Sequence, residues 1–324
     1  MSRWIKSILV AVSLGLAATQ AHAGAELAVR DQPACASTHR NGLENVEKFA
    51  NWLGRKPDRI VEFVWFGSWS DMTRSADLLS KCWRQAGYQR LSMAVPMLPS
   101  DGVSTLSRGA NGAYDEHFAK IARSLVAQGY GDAIIRLGWE FNTPNFPWAA
   151  YKDPRSFVAY WRRIVKIMRA VPGARFRFDW CPTGNAWHRN AGVVSPESVY
   201  PGDGYVDIIG LDIYNEWWGQ PGVSPEARWR FLVEKPYGLQ WHRSFARRHG
   251  KPMSFPEWAT GERPDGRGSG DDPYFVQQMA AWISNNNVVY HGYWNQETFP
   301  YRGRLTDGRF PMSAASYRKA FGRP

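Results

Sequence analysis

Short, nearly continuous apolar runs recur along this chain, separated by stretches whose apolar residues fall on one helical face. The runs are Ile60–Phe66, Arg90–Pro96, Ala133–Trp139, Arg175–Trp180, Val206–Ile213, Met253–Trp258 and Val288–Trp294. A strand covered on both faces reads this way. An eighth strand is expected near Ala34–Thr38, where the signal is faintest. Between the runs lie helices. The clearest follows Asp153-Pro154, an N-cap and a proline at the first helical position, with Phe157, Trp161, Ile164, Val165 and Met168 on one stripe. Pro172-Gly173 should end it. Another helix starts near Asp115, with Phe118, Ile121, Ala122 and Leu125 on one face. Strand and helix in alternation imply a parallel sheet, and eight repeats imply an α/β chain folded as a (β/α)₈ TIM barrel. An open doubly wound sheet is the alternative. It normally carries a Gly-rich phosphate loop after its first strand, and none is found.

The pattern begins only after residue 23. Arg3 and Lys6 precede a short apolar run, Ile8 to Ala18, and Ala21-His22-Ala23 is a small-x-small site. Residues 1–23 therefore read as a signal peptide cut near Ala23/Gly24, which predicts a secreted or periplasmic protein. The run is shorter than the ~20 residues a membrane span needs. Residues 24–324 then form one catalytic-size domain with no linker or low-complexity tract to divide it.

Losing Arg3 and Lys6 lowers the formal charge from +11 to +9. That balance suits solubility or an acidic polymer. No block of like charge or nucleic-acid motif accompanies it, so nucleic acid is not an expected partner. Among three cysteines, Cys35 and Cys82 are the expected disulfide, and Cys181, ending an apolar strand, is the expected free thiol. No cluster has metal-ligand spacing, and no metal or cofactor is expected.

In a barrel, chemistry sits at the C-terminal ends of the strands. Two of those ends carry a glutamate beside a tryptophan: Glu140 in "AIIRLGWEFN" and Glu257 in "KPMSFPEWAT". Two carboxylates facing one another across a sugar ring are what glycosidic cleavage needs. Tyr214 could hydrogen-bond one carboxylate and hold it ionised, while the other stays protonated in an apolar setting. Arg136, four residues before Glu140, is a structural partner or a substrate contact. Seventeen tryptophans are present, and the flat indole suits the apolar face of a sugar. Those at strand ends are read as binding residues: Trp65, Trp69, Trp139, Trp148, Trp180, Trp187, Trp217, Trp218, Trp258 and Trp294. Asn185 and Asp212 join them as polar contacts. Glu216 is expected to be solvated, and Glu297 is a reserve catalytic carboxylate. The loop "GERPDGRGSGDDP" after Glu257 is expected to be a mobile flap.

Taken together these segments resemble glycoside hydrolase family 26 within the clan A barrels. "RLGWEFN" followed by "NFPW" is similar to its fourth-strand acid/base segment. "YPGDGYVDIIGLDIYN" is similar to its sixth-strand segment, and "GKPMSFPEWA" to the seventh-strand segment with the nucleophile. The resemblance runs from roughly Gly42 to Trp294. It implies Glu140 as acid/base, Glu257 as nucleophile, Tyr214 as the partner of the nucleophile and Trp294 as a platform at the cleavage site. One departure is Trp139, where the mannanases of that family usually have histidine.

These readings imply a retaining endo-β-glycanase acting on a β-mannan-like or bacterial exopolysaccharide. A transglycosylase would use the same residues. A non-catalytic polysaccharide-binding barrel is the alternative from another class. The residues leave the sugar, its linkage, endo or exo action and the oligomeric state open.

Overall fold

The computed structural model describes residues 24–30, 41–185, 193–298 and 300–322. The strands are β1 (Glu26–Arg30), β2 (Arg59–Phe63), β3 (Leu91–Val95), β4 (Ile134–Leu137), β5 (Arg177–Trp180), β6 (Ile208–Gly210), β7 (Ile213–Tyr214), β8 (Met253–Ala259) and β9 (Val288–Trp294). All pair in parallel. β1 through β6 run side by side, β6 pairs with β8, β8 with β9, and β9 with β1, so the sheet closes on itself. β7 prolongs the sixth stave against β8. The result is an eight-stranded TIM-like barrel ringed by helices, as the alternating pattern implies.

Two strand expectations need correction. The first stave is "ELAVR", Glu26–Arg30, which directly follows the expected cleavage site and ends in a charge, so its pattern is too brief to stand out. Ala34–Thr38 lies outside the described residues. The sixth stave is broken rather than continuous. At Asp212 the backbone leaves β8: its N–H donates to the Pro182 carbonyl (3.1 Å), and its carbonyl accepts from Gly184 (2.9 Å). Gly210 precedes the break because a Cβ there would meet Asp179 Oδ1 at 2.5 Å and Cys181 Cβ at 2.9 Å.

Helices α1 (Asn41–Leu53), α2 (Trp69–Gln85), α3 (Leu106–Ala110), α4 (Asp115–Ala127), α5 (Pro154–Arg169), α6 (Pro225–Glu234), α7 (Leu239–Arg248), α8 (Pro273–Ser284) and α9 (Pro311–Phe321) surround the staves. Helix α5 starts where Asp153 accepts from the Ser156 N–H at 3.0 Å, and its whole apolar stripe is buried. The barrel interior is partly polar. Tyr290 donates to Asp179 Oδ2 (2.6 Å), as does Ser254 (2.7 Å), and Arg30 pairs with the buried Glu62. Asp179 Oδ2 is therefore held twice from inside the wall, while Oδ1 is buried without a hydrogen-bond partner among the described residues, and burial pushes the carboxyl up to about 6.

Cys82 is disulfide-bonded. Cys35, its expected partner, lies outside the described residues. Cys181 is a free, buried thiol. Among the described residues, no helix is long and apolar enough to cross a membrane.

Candidate active site

The strand ends of β2, β4, β5, β7, β8 and β9 open into a cleft of about 720 Å³. Glu140 and Glu257 both line it. Glu257 is the fifth residue of β8, and its neighbour Trp258 turns to the other side of the wall, as strand alternation requires. Glu140 lies three residues beyond β4. Its backbone has φ 50°, in the left-handed region, and its N–H donates to the Cys181 carbonyl at 2.8 Å. Gly138 also has positive φ, and a Cβ there would meet Met97 Sδ at 2.6 Å. A non-glycine residue in this conformation stores roughly 1–3 kcal/mol of strain, a feature that clusters at working sites.

The two carboxyls sit in different surroundings. Glu257 Oε2 accepts from the Tyr214 hydroxyl at 2.6 Å, and its Oε1 accepts from Arg136 Nη1 at 2.5 Å. Arg136 is fully buried below the cleft, and its other arm, Nη2, donates to Asp212. One guanidinium thus bridges two carboxylates, and among the described residues Glu140 has no ion-pair partner. Burial and the Glu257 charge push the Glu140 carboxyl up to about 7, against the opposing pull of Arg136 and the Thr183 hydroxyl. A paired, hydrogen-bonded carboxylate beside a carboxyl raised toward neutrality is an arrangement that suits an acid and a nucleophile. Burial also pushes the Tyr214 phenol well up, so it remains a donor.

Two asparagine clamps tie the loops together. Asn142, two residues after Glu140, donates to the Thr183 carbonyl and accepts from the Thr183 N–H, both at 2.9 Å. Asn185, two residues after Thr183, repeats the device on Tyr214, donating to its carbonyl (3.2 Å) and accepting from its N–H (3.0 Å). The amide of Asn185 also donates to Glu216 Oε2 at 3.1 Å. Glu216 is held in turn by Arg263 at 2.8 Å. A chain of contacts therefore runs from Arg263 through Glu216, Asn185 and Tyr214 to Glu257.

Of the residues proposed from sequence, Glu140, Glu257, Tyr214, Trp139, Asn185, Trp218 and Trp294 meet in this cleft. Others are placed elsewhere. Arg136 and Asp212 have no exposed surface, so they support the carboxylates from below and do not reach a substrate. Trp148 is buried beneath Trp139 and donates to its carbonyl at 2.8 Å. Trp180 is fully buried between Phe141 and Phe245 and does not line the cleft, and Trp258 packs outward against Phe275, Tyr317 and Phe321. Trp69 begins α2 and stacks on His117. Trp65 sits near Arg74 at 5.8 Å, off the cleft wall. Trp217 faces a neighbouring concavity. Trp187 lies outside the described residues.

Three further expectations are corrected. Glu216 is buried, not solvated, because three donors converge on it: Asn185, Trp218 and Arg263. Glu297 pairs with Arg309 at 2.9 Å on a small hairpin, β10 (Glu297–Thr298) with β11 (Tyr301–Arg302), and does not line the cleft. The loop after Glu257 is tied down: Glu216 bridges Gly268, and Glu262 bridges Arg302. Its glycines allow this. A Cβ on Gly268 would meet the Gly261 carbonyl at 2.4 Å.

Sequence reasoning missed the phenylalanines of the wall, Phe63, Phe66 and Phe146, and also Thr143, Thr183 and Arg263. Phe63 and Phe66 end the "VEFVWF" run, and Phe146 lies in "NFPW"; treating every strand-end aromatic as a wall candidate would have found them. Arg263 carries no local signal. Among the described residues, no group of three or more His, Cys, Asp or Glu is arranged to hold a metal.

Residues 107–235 match Glycosyl hydrolase family 26. The chain is 24% identical over 296 residues to Endoglucanase H of Acetivibrio thermocellus, covering 86% of this chain and 27% of that protein, so it spans about a quarter of its relative's length. Its fold is shared with GH26C from Muricauda sp. MAR_2010_75 (TM-score 0.66, 16% identity, 93% of this chain and 86% of that one). A modular endo-β-1,4-mannanase from Cellulomonas fimi also matches (TM-score 0.61, 18% identity, 93% and 74%). A Bacillus subtilis mannanase is similar as well (TM-score 0.60, 15% identity, 92% and 86%).

Proposed function

We propose that this chain, whose residues 107–235 match Glycosyl hydrolase family 26, is a retaining endo-β-glycanase. The observation that supports this most is the contrast between Glu257, held by Tyr214 and Arg136, and Glu140, without an ion-pair partner among the described residues and with its carboxyl pushed up to about 7 in the same cleft. Glu140 donates its proton to the leaving oxygen as the glycosidic bond breaks. Glu257 attacks the anomeric carbon and forms a glycosyl-enzyme. Glu140, now a base, takes a proton from water, whose oxygen displaces Glu257. Arg136 and Tyr214 orient the nucleophile. Trp294 is the platform for the sugar at the cleavage site.

The relatives' names point to a β-1,4-linked hexose backbone, since they include a named endoglucanase and endo-β-1,4-mannanases. We take glucomannan and β-mannan as the expected substrates. Residues 1–23 are taken as a cleaved leader and the protein as exported, which N-terminal sequencing of the mature chain checks. The function itself is tested on glucomannan, mannan, mixed-linkage glucan, β-1,3-xylan and an acidic exopolysaccharide, with product sizes read by mass spectrometry. New reducing ends from glucomannan or mannan, lost in Glu257→Ala, support the reading. Polymer binding without products would favour a non-catalytic barrel.

A further inference from the structure

Beside the catalytic cleft lies a second concavity of about 420 Å³, and Trp218 lines both. We propose that this concavity is an additional subsite for an uncharged pyranose unit of the same polymer whose reacting bond lies between Glu140 and Glu257. The proposal rests on the glycanase reading and extends it to a cleft that continues past the cleavage site.

The partition is built to stay upright. Trp218 is 38% exposed, yet Arg267 lies 4.0 Å from its ring centroid and Arg263 lies 5.6 Å away. Its indole N–H donates to Glu216 at 3.3 Å. Trp217 forms the adjoining wall, pinned by its indole N–H to the Gln220 carbonyl at 2.7 Å and by Phe231 edge-on at 5.3 Å. The facing wall is the loop after β8, joined by the Trp217 N–H donating to the Arg267 carbonyl at 2.9 Å. A large exposed aromatic fixed in place offers contact area at little cost in side-chain entropy, and sugar C–H faces suit it.

The polar groups of this concavity suit hydroxyls. Among the described residues the one acidic group that Arg267 meets is Asp265, at 4.0 Å, which leaves guanidinium donors for a ligand. Asp265 supplies acceptors. Ser269 lines the same space, and its Oγ, buried just behind that wall, has no hydrogen-bond partner among the described residues; an unpaired buried hydroxyl is a cost that a ligand reaching it would relieve. Charge argues against a uronate. Arg228, Arg263 and Arg267 are offset by Asp272, Glu216 and Asp265. Locally the signs cancel, despite the basic balance of the whole chain.

The test uses β-1,4-manno-oligosaccharides from trimer to hexamer with the full chain, Arg267→Ala and Ser269→Ala. Ser269→Ala removes only an oxygen and serves where Arg267→Ala loosens the loop. Wild-type kcat/KM should rise with length. Arg267→Ala should lower it about tenfold on the hexamer, the size of one hydrogen bond to a charged group, and far less on the trimer. Efficiency independent of length, or equal losses at every length, would overturn the subsite. If wild type cleaves no oligomer, the glycanase reading falls, and calorimetric binding of trimer and hexamer decides the subsite alone. A selective loss of hexamer affinity in Arg267→Ala sustains it; equal affinities, or no binding, refute it.

Discussion

The Tyr214 hydroxyl donates to Glu257 Oε2 at 2.6 Å, while the backbone of Tyr214 is clamped on both sides by Asn185. Glu257 is thus oriented by a side chain whose own position is set from the neighbouring loop. Tyr214→Phe keeps the ring packing on Tyr301 (4.8 Å) and removes only the donor. A hydrogen bond to a charged group contributes about 1.5–3 kcal/mol, so kcat/KM should fall roughly 10–100-fold. Asn185→Ala should slow the reaction by the same route with the hydroxyl still present. Steady-state kinetics on both variants check this; full activity in Tyr214→Phe would mean that Glu257 does not depend on it.

Glu140 sets a pH limit. Its carboxyl is raised from 4.5 to about 7, chiefly by burial and then by Glu257. The proton needed by the leaving group is present below that value and lost above it. The rate should fall about tenfold per pH unit on the alkaline side, and this limb should vanish in Glu140→Gln with a substrate whose leaving group needs no proton. The stability effect has a fixed sign. Between 4.5 and about 7 the folded chain keeps a proton that the unfolded chain releases, so stability from this group declines as pH rises. Glu140→Gln should therefore gain in Tm relative to wild type on moving from pH 4 to pH 8. A constant difference would show that Glu140 is not perturbed.

The staves were legible because strands buried on both faces must be apolar throughout, as in "AIIRL" and "VVYHGYW". The two glutamates were legible because a charge ending such a run can only face the barrel mouth. Burial of individual tryptophans was not legible. Trp139 and Trp148 lie nine residues apart in one motif, yet one lines the cleft and the other is roofed by it. Adjacent Glu257 and Trp258 share a strand end but point to opposite sides. Arg263 was hidden because its partner Glu216 comes from another stave, 47 residues earlier. Contacts between loops of different staves depend on closure, and no local pattern records them.

Arg136 joins Glu257 and Asp212 while fully buried. Removing one partner of a buried ion pair costs about 3–5 kcal/mol, because the charge left behind is neither solvated nor paired. Arg136→Met should lower Tm by roughly 10 °C near neutral pH. Burial already raises the Asp212 carboxyl against the opposing pull of Arg136, and without the guanidinium it would rise further. The deficit should therefore shrink on acidification, and thermal melts at pH 4 and pH 7.5 measure it. An unaltered Tm at neutral pH would show that the guanidinium is not what balances these carboxylates.

The last prediction separates the roles of the two glutamates by stereochemistry. With Glu140→Ala, a glycoside whose leaving group departs without a proton should still glycosylate Glu257, but water would lack its base. Azide needs no base. It should displace Glu257 from the face opposite the carboxylate and give a glycosyl azide with the original anomeric configuration, after two inversions. With Glu257→Ala, the space left beside Tyr214 and Arg136 admits azide itself, which attacks once and inverts. The two variants should therefore yield opposite anomers, distinguishable by NMR of the isolated azides. The same anomer from both would exchange or abolish the assigned roles. Undiminished hydrolysis in either variant would remove that glutamate from the reaction. Glu297 is not the substitute, since it lies outside the cleft and is paired with Arg309; Glu216, buried within the cleft and held by Asn185, Trp218 and Arg263, would be the carboxylate to test next.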